Sequence, residues 1–416
     1  LSNTALECVR KDFHMVRRSV LAVFAVMAIV LGCIVVSTPA GAVVDTAVVV
    51  PSPNAGTSDD RLLSVSCVSV SECVAVGSTD TGSAFETLVM VWDGSVWSVV
   101  PSPNAGTVDD VLNSVSCVSV SECVAVGYSL IDSAFETLVM VWDGSVWSIV
   151  PSPNAGTVDD QLLSVSCVSV SECVAVGSTD TVSASETLVM VWDGSVWSIV
   201  PSPNAGTIDD ELSSVSCVSA SECVAVGLTD TRATIETLVM VWDGSVWSIV
   251  PSANAGTIDD RLSSVSCVSV SECVAVGSTF TGSASETLVM VWDGSVWSIV
   301  PSPNAGTSSD VLESVSCLSV SECVAVGYTY TGSASETLVL VWDGSVWSIA
   351  PSPNADTSDD VLESVSCVSV SECVAVGSTI TGSATETLVL SLTGPVPPST
   401  TTTTVSPDRV VPAFTG

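Results

Sequence analysis

Residues 101–150 read PSPNAGTVDDVLNSVSCVSVSECVAVGYSLIDSAFETLVMVWDGSVWSIV, and this 50-residue phrase starts again at Pro51, Pro101, Pro151, Pro201, Pro251, Pro301 and Pro351. A period of this length marks a repeat architecture in which each unit leans on its neighbours. Each of the first six copies offers four Val-rich runs separated by turn residues; in the first copy they are Leu62–Ser69, Glu72–Ser78, Thr87–Trp92 and Ser95–Val100. Asp93-Gly94 is a turn dipeptide between the last two. No run has a helical period, so each unit is expected to be four short antiparallel strands. In the third run Leu88, Met90 and Trp92 point one way while Val89 and Val91 point the other. A sheet apolar on both faces must be covered on both faces, and stacked neighbouring units do that.

The ends of the array decide between an open stack and a closed ring. The seventh copy breaks off after Thr387–Leu390 and lacks its fourth run, yet VDTAVVV at 44–50 stands in a fourth-run position before the first copy. Seven sets of three strands thus meet seven fourth strands, one of them N-terminal. That arithmetic closes a ring, and the expected fold is all-β, a seven-bladed β-propeller over residues 43–390.

Composition narrows the function. The chain of 416 residues has 45 acidic and 8 basic side chains, a net charge of −37 and 47% hydrophobic residues. The apolar fraction excludes a disordered acidic tail. The charge excludes nucleic acid as a partner, because phosphate binding needs clustered Lys and Arg. Met15-Val-Arg-Arg, the apolar run Val20–Val36 and Ala40-Gly41-Ala42 read as a signal peptide over 15–42. A membrane anchor and a lipid-modified Cys33 are the weaker alternatives. Residues 1–14 read as an upstream extension. After Leu390 the composition turns to Pro and Thr, a stalk over 391–416 that ends Pro412-Ala413-Phe414-Thr415-Gly416. This pentapeptide resembles a wall-sorting motif with one residue too many. The apolar helix and basic end of such a motif do not follow, so the expectation is a secreted protein, with wall attachment on a truncated sorting signal and an accidental resemblance as the two alternatives.

The units resemble WD-type blades: Leu-Val-Met-Val-Trp-Asp ends the third run and Cys-Val-Ala-Val-Gly-Ser fills the second. The Gly-His dipeptide of true WD40 repeats is absent. The whole unit is similar to secreted actinobacterial repeat proteins with Ser-Cys, Cys-x-Ala-Val-Gly and Trp-Asp-Gly-x-x-Trp-Ser motifs. This resemblance spans 44–390 and implies a fold rather than an activity.

Fourteen of the sixteen Cys form pairs of identical spacing: Cys67/Cys73, Cys117/Cys123, Cys167/Cys173, Cys217/Cys223, Cys267/Cys273, Cys317/Cys323 and Cys367/Cys373. Each pair brackets a short link between the first two strands, where antiparallel pairing sets residues opposite one another. A disulfide in each blade is expected of a secreted chain. Zinc is a poor rival, because two Cys per blade without His do not complete a site.

Two links lie at one end of such a blade. The first, Pro51–Arg61, carries Asn54, Thr57, Asp59 and Asp60, oxygen ligands of the kind calcium accepts. The carboxylates recur as Asp109, Asp110, Asp159, Asp160, Asp209, Asp210, Asp259, Asp260, Asp359 and Asp360, while Ser309 replaces one of them. Solvated acids are the alternative to calcium, and no cofactor is required. The second link, roughly Thr79–Glu86, holds most of the differences among copies, from STDTGSAFE to YSLIDSAFE to LTDTRATIE. Recurring carboxylates beside differing loop tips make this the expected binding face, although exposed loops also vary without function. Trp92 and Trp97, with five equivalent pairs, account for all twelve Trp. Trp92 is read as inter-blade packing. Trp97 is read as packing first and as a half-exposed sugar platform second.

The only His and Lys, His14 and Lys11, precede the expected mature chain, so no Ser-His-Asp triad, Lys base or His-held metal is available. The expectation is a non-enzymatic, monomeric scaffold that binds protein or glycan and makes no membrane contact of its own. A structural spacer is one alternative. A carboxylate glycosidase is another, and it needs two facing acids about 5–10 Å apart in a central pocket.

Overall fold

The computed structural model describes residues 46–394 except positions 57, 107, 157, 207, 257, 307, 356, 357 and 370. The expected signal peptide, the upstream extension and positions 395–416 of the expected stalk lie outside the described residues, while positions 391–393 continue the last blade's third strand rather than starting the stalk.

Strand β1 (Thr46–Val49) precedes the first blade, which is β2 (Asp60–Ser69), β3 (Glu72–Asp80), β4 (Phe85–Trp92) and β5 (Trp97–Val99) in antiparallel order. The same four-strand plan recurs in each copy. The last blade has only Asp360–Ser369, Glu372–Thr381 and Ala384–Thr393 of its own, and β1 completes it. Thr46 faces Thr393 and Val49 faces Leu390 in that ladder. Val50 N–H extends it to the Val389 carbonyl at 2.8 Å. The ring is closed by the N-terminal strand, and the fold is a seven-bladed β-propeller.

Both apolar faces of each blade are covered by its neighbours. Leu62, Ala75, Leu88, Met90 and Trp97 of the first blade pack against Val376 and Val389 of the last. Val76 and Val89, on the opposite face, pack into the second blade against Leu112, Leu138 and Met140. Hydroxyls stitch the inner strands together. Ser64 Oγ accepts Val115 N–H at 3.1 Å and Ser66 Oγ accepts Cys117 N–H at 3.0 Å. The same two bonds join every successive pair, including Val65 to Ser364 and Cys67 to Ser366 across the closure. These buried N–H groups lie outside the blade's own ladder, so the serines supply acceptors they would otherwise lack.

Each inner strand is bulged. The register of β2 on β3 shifts between Leu62 and Ser64, leaving Leu63 as the extra residue. Gly77 permits the close approach there, since a Cβ would lie 1.9 Å from the Arg61 carbonyl oxygen. At the other end of the blade, the turn from β4 to β5 is held by Asp93. Its Oδ1 accepts Ser95 N–H and Val96 N–H, both at 2.9 Å. Gly94 takes φ +90° in that turn.

Candidate functional site at the mouth of the central channel

The seven Cys pairs are disulfides: Cys67–Cys73, Cys117–Cys123, Cys167–Cys173, Cys217–Cys223, Cys267–Cys273, Cys317–Cys323 and Cys367–Cys373. Cys67 directly opposes Cys73 with Cα atoms 4.0 Å apart, and the other six repeat the arrangement. The second member of each pair is the buried one. Cys73, Cys123, Cys173, Cys223, Cys273, Cys323 and Cys373 all belong to the core between blades, while their partners are half-buried. Cys73 Sγ lies 3.9 Å from the Ser69 carbonyl oxygen. Cys123, Cys173, Cys223, Cys273 and Cys323 each lie 3.8 Å from the equivalent carbonyls of Ser119, Ser169, Ser219, Ser269 and Ser319. An oxidised sulfur carries no proton to donate, so these are packing contacts. The disulfides are thus structural staples at the end of the blade opposite the differing links, and they take no part in the candidate site.

The acids of the Pro51–Arg61 link and its equivalents face the backbone. Asp60 is 2% exposed, and its carboxylate accepts the N–H groups of Gly56 and Ala55. Asp110, Asp160, Asp210 and Asp260 hold Gly106, Gly156, Gly206 and Gly256 in the same way, and Asp360 accepts Ala355 N–H. Asp59 instead crosses to the neighbouring blade, where Oδ1 accepts Thr385 N–H at 3.0 Å. The Thr385 hydroxyl and amide hold the Asp59 carboxyl below the usual carboxylate range. Asp109, Asp159, Asp209, Asp259 and Asp359 repeat this crossing onto Phe85, Phe135, Ser185, Ile235 and Ser335. Asn54 makes the parallel contact to Thr387 N–H at 2.9 Å. The link is therefore a clamp between blades. Thr57 lies outside the described residues. Among the described residues no group of three or more His, Cys, Asp or Glu is arranged to hold a metal.

Both tryptophans pack between blades, as read first from the sequence, and Trp97 is the more deeply buried of the two. Trp97 is 6% exposed and packs in the core, whereas Trp92 is half-buried, stacked at 5.7 Å on Trp97, with its indole N–H on the Val70 carbonyl. The sugar-platform reading of Trp97 is corrected accordingly: the outer strand's first residue turns inward and packs with Val376 and Val389 of the neighbouring blade. Trp92 sits at the end opposite the differing links, beside the Val70 hairpin.

The central channel holds a cavity of about 750 Å³. The bulged residues ring it: Leu63, Asn113, Leu163, Ser213, Ser263, Glu313 and Glu363. Seven copies that agree at almost every packing position thus differ at this one. Two further differing positions join it. Arg61 pairs with Ser78 in register, and the equivalents Arg261, Val311, Leu228, Ser278 and Tyr328 line the cavity. The wall is uneven, with Leu63 and Leu163 on one arc and Glu211, Glu313 and Glu363 on another.

Burial raises the affinity of all three glutamates for a proton. Glu211 is pushed up by burial, against the opposing effects of the Ser213 hydroxyl and Arg261. Glu313 is pushed up by burial and eased by the Ser263 hydroxyl. Glu363 rises to about 7, through burial first and the neighbouring Glu313 second, with Arg61 opposing. The Tyr328 hydroxyl is raised by burial and by both carboxylates.

A reading of the links alone misses these channel residues. Their signal is present as two columns of the repeat, Arg/Val/Gln/Glu/Arg/Val/Val from Arg61 and Leu/Asn/Leu/Ser/Ser/Glu/Glu from Leu63.

The site thus lies on a β-propeller, at the end where strands two and three are linked. Among solved structures, YCF48 bound to D1 peptide is similar in fold, with a TM-score of 0.52 and 13% identity over 84% of this chain and 96% of that one. The Sqt1 protein of Chaetomium thermophilum aligns at a TM-score of 0.48 and 12% identity, covering 77% of this chain and 81% of its own. A protein of unknown function from Dyadobacter fermentans aligns at 0.47 and 10%, covering 84% and 98%. No family model matches the chain, and no curated relative matches it in sequence.

Proposed function

We propose that this protein is a non-enzymatic, secreted or surface-displayed binding scaffold that takes a peptide or protein segment at the mouth of its central channel. One observation carries this reading: the differences among the seven copies gather at one end, on the bulge, its register partners and the second-to-third-strand links. Positions that only pack stay nearly the same from blade to blade, the Met90 column changing only to Leu340 and Leu390. A cavity of about 750 Å³ is of the size that holds a side chain or short segment. The structure of YCF48 bound to D1 peptide supports the choice of a peptide, since that propeller is similar in fold. A glycan ligand is disfavoured because Trp97 offers no stacking surface at this end. Seven disulfides are compatible with an extracellular protein.

A carboxylate glycosidase would have to draw its two acids from those lining the cavity, Glu211, Asp259, Glu313 and Glu363. Such chemistry needs one acid held protonated and one held ionised. The gathering of the differences among copies at the channel mouth favours binding over this second reading.

The test is selection from a displayed random-peptide library on the oxidised protein. Selected peptides should lose at least about tenfold in affinity when the differing links and bulge residues are exchanged between blades. Exchanged variants that bind identically, or a selection that yields no peptide at all, would refute the scaffold reading.

A further inference from the structure

The acidic arc of the channel is poorly compensated. Glu363 is half-buried in the wall of the cavity, and no hydrogen bond from a described residue reaches its carboxylate. Its neighbours are Glu313 on the preceding blade, Arg61 on the following one and the Tyr328 hydroxyl. Glu313 has only the Ser263 hydroxyl to ease it. Leaving a recessed carboxylate without a partner is costly, and a cation entering the channel would relieve it. The chain has no repeat-wide reason for these groups, because the corresponding residues of the other five copies are Leu, Asn, Leu, Ser and Ser. Leu63, on the blade that follows Glu363, adds aliphatic surface to the same ring beside the carboxylates.

A ligand that satisfies both arcs is a compact positive charge at the end of an aliphatic chain. A lysine side chain has that form: a methylene stem that packs on leucine and an ammonium that imposes no fixed fork geometry. Resting on the peptide-binding reading above, we propose that the channel binds the lysine side chain of the incoming segment, with its ammonium at Glu313 and Glu363 and its stem along Leu63. The shared chemistry is a primary ammonium on an aliphatic chain, which a free diamine also carries.

The full, oxidised chain should be titrated calorimetrically at about pH 8 and about 0.15 M salt, where loose attraction to its acidic surface is screened. The probes are a capped peptide of one Lys flanked by Gly, its norleucine counterpart, and cadaverine. The Lys peptide should bind at a single site, at least about tenfold more tightly than the norleucine peptide. Glu313→Gln and Glu363→Gln should each weaken it about tenfold, while Asp143→Asn, the same charge loss at the far end, should leave it unchanged. Binding should also weaken about tenfold from pH 8 to pH 5.5, as Glu363 takes up its proton. Equal affinity for the two peptides, or unchanged affinity in both Gln variants, would overturn the site. Cadaverine binding as tightly as the Lys peptide would overturn presentation by a peptide and assign the site to a free diamine. Library peptides that bind the channel mouth without lysine would overturn this inference alone and leave the scaffold reading intact.

Discussion

Glu363 stands where other copies carry Leu, Asn or Ser, and its proton affinity ties the channel to stability. Its carboxyl titrates near the ordinary glutamate value when unfolded and at about 7 in the fold. A group raised on folding stabilises fully below its unfolded value, and that contribution is lost as pH rises through the folded value. Between roughly pH 4.5 and 7 the unfolded chain gives up this proton first, so stability falls with rising pH in that window. Glu363→Gln removes the penalty. Urea unfolding should show the variant more stable by about 2–3 kcal/mol at pH 8 and indistinguishable at pH 4. Glu313, Arg61 and Tyr328 face the group and will shift the midpoint of the crossover. None of this is legible from the residue alone. An acidic residue in a Ser-rich strand reads as solvated charge until a bulge turns it into the lumen.

At the scale of the element, the first-to-second-strand hairpin is the most legible part. Two Cys six residues apart, bracketing a turn in an antiparallel pair, have few arrangements open to them, and the disulfides are where the spacing puts them. Replacing Cys167 and Cys173 together by Ala should lower stability by about 2 kcal/mol, by the loop-entropy estimate for so short a loop. Thermal unfolding of the double variant should show a small drop with the fold retained. The Pro51–Arg61 link is harder to read. Its carboxylates look like free ligands because sequence does not show which backbone amides need an acceptor. In the structure Asp60 holds the turn at Gly56 and Asp59 reaches the neighbouring blade. With those oxygens engaged, added calcium should leave the thermal transition unchanged, and a chelator should do the same; an upward shift with calcium would show remaining lone pairs taking the ion. The bulge at Leu63 is the least legible element, since a register shift is a property of two strands and Gly77 is its only local sign.

At the scale of the molecule, closure rests on β1, the one outer strand that comes from the other end of the chain. It is a four-residue strand, largely exposed, pairing with the end of Ala384–Thr393. Deleting residues 44–50 would strip that ladder and leave Leu390 and Leu392 at an open edge. A loss on the order of 3–5 kcal/mol is expected from the missing hydrogen bonds, with a tendency to associate through the bared strand. Urea titration and light scattering check the two effects, and an unchanged midpoint would mean the ring holds without its latch. The 50-residue period, the four strands per unit, the permuted ends and the Cys pairs all follow from the amino-acid order, because each depends on local pattern and on counting. The ring's two-sided burial also follows, since strands apolar on both faces allow little else. Only the tertiary structure decided that the recurring acids clamp blades together, that Trp97 rather than Trp92 is buried, and that Glu313 and Glu363 share one lumen. Those outcomes depend on which distant backbone amide or side chain arrives beside each group once seven copies close on themselves, and no single copy contains that information.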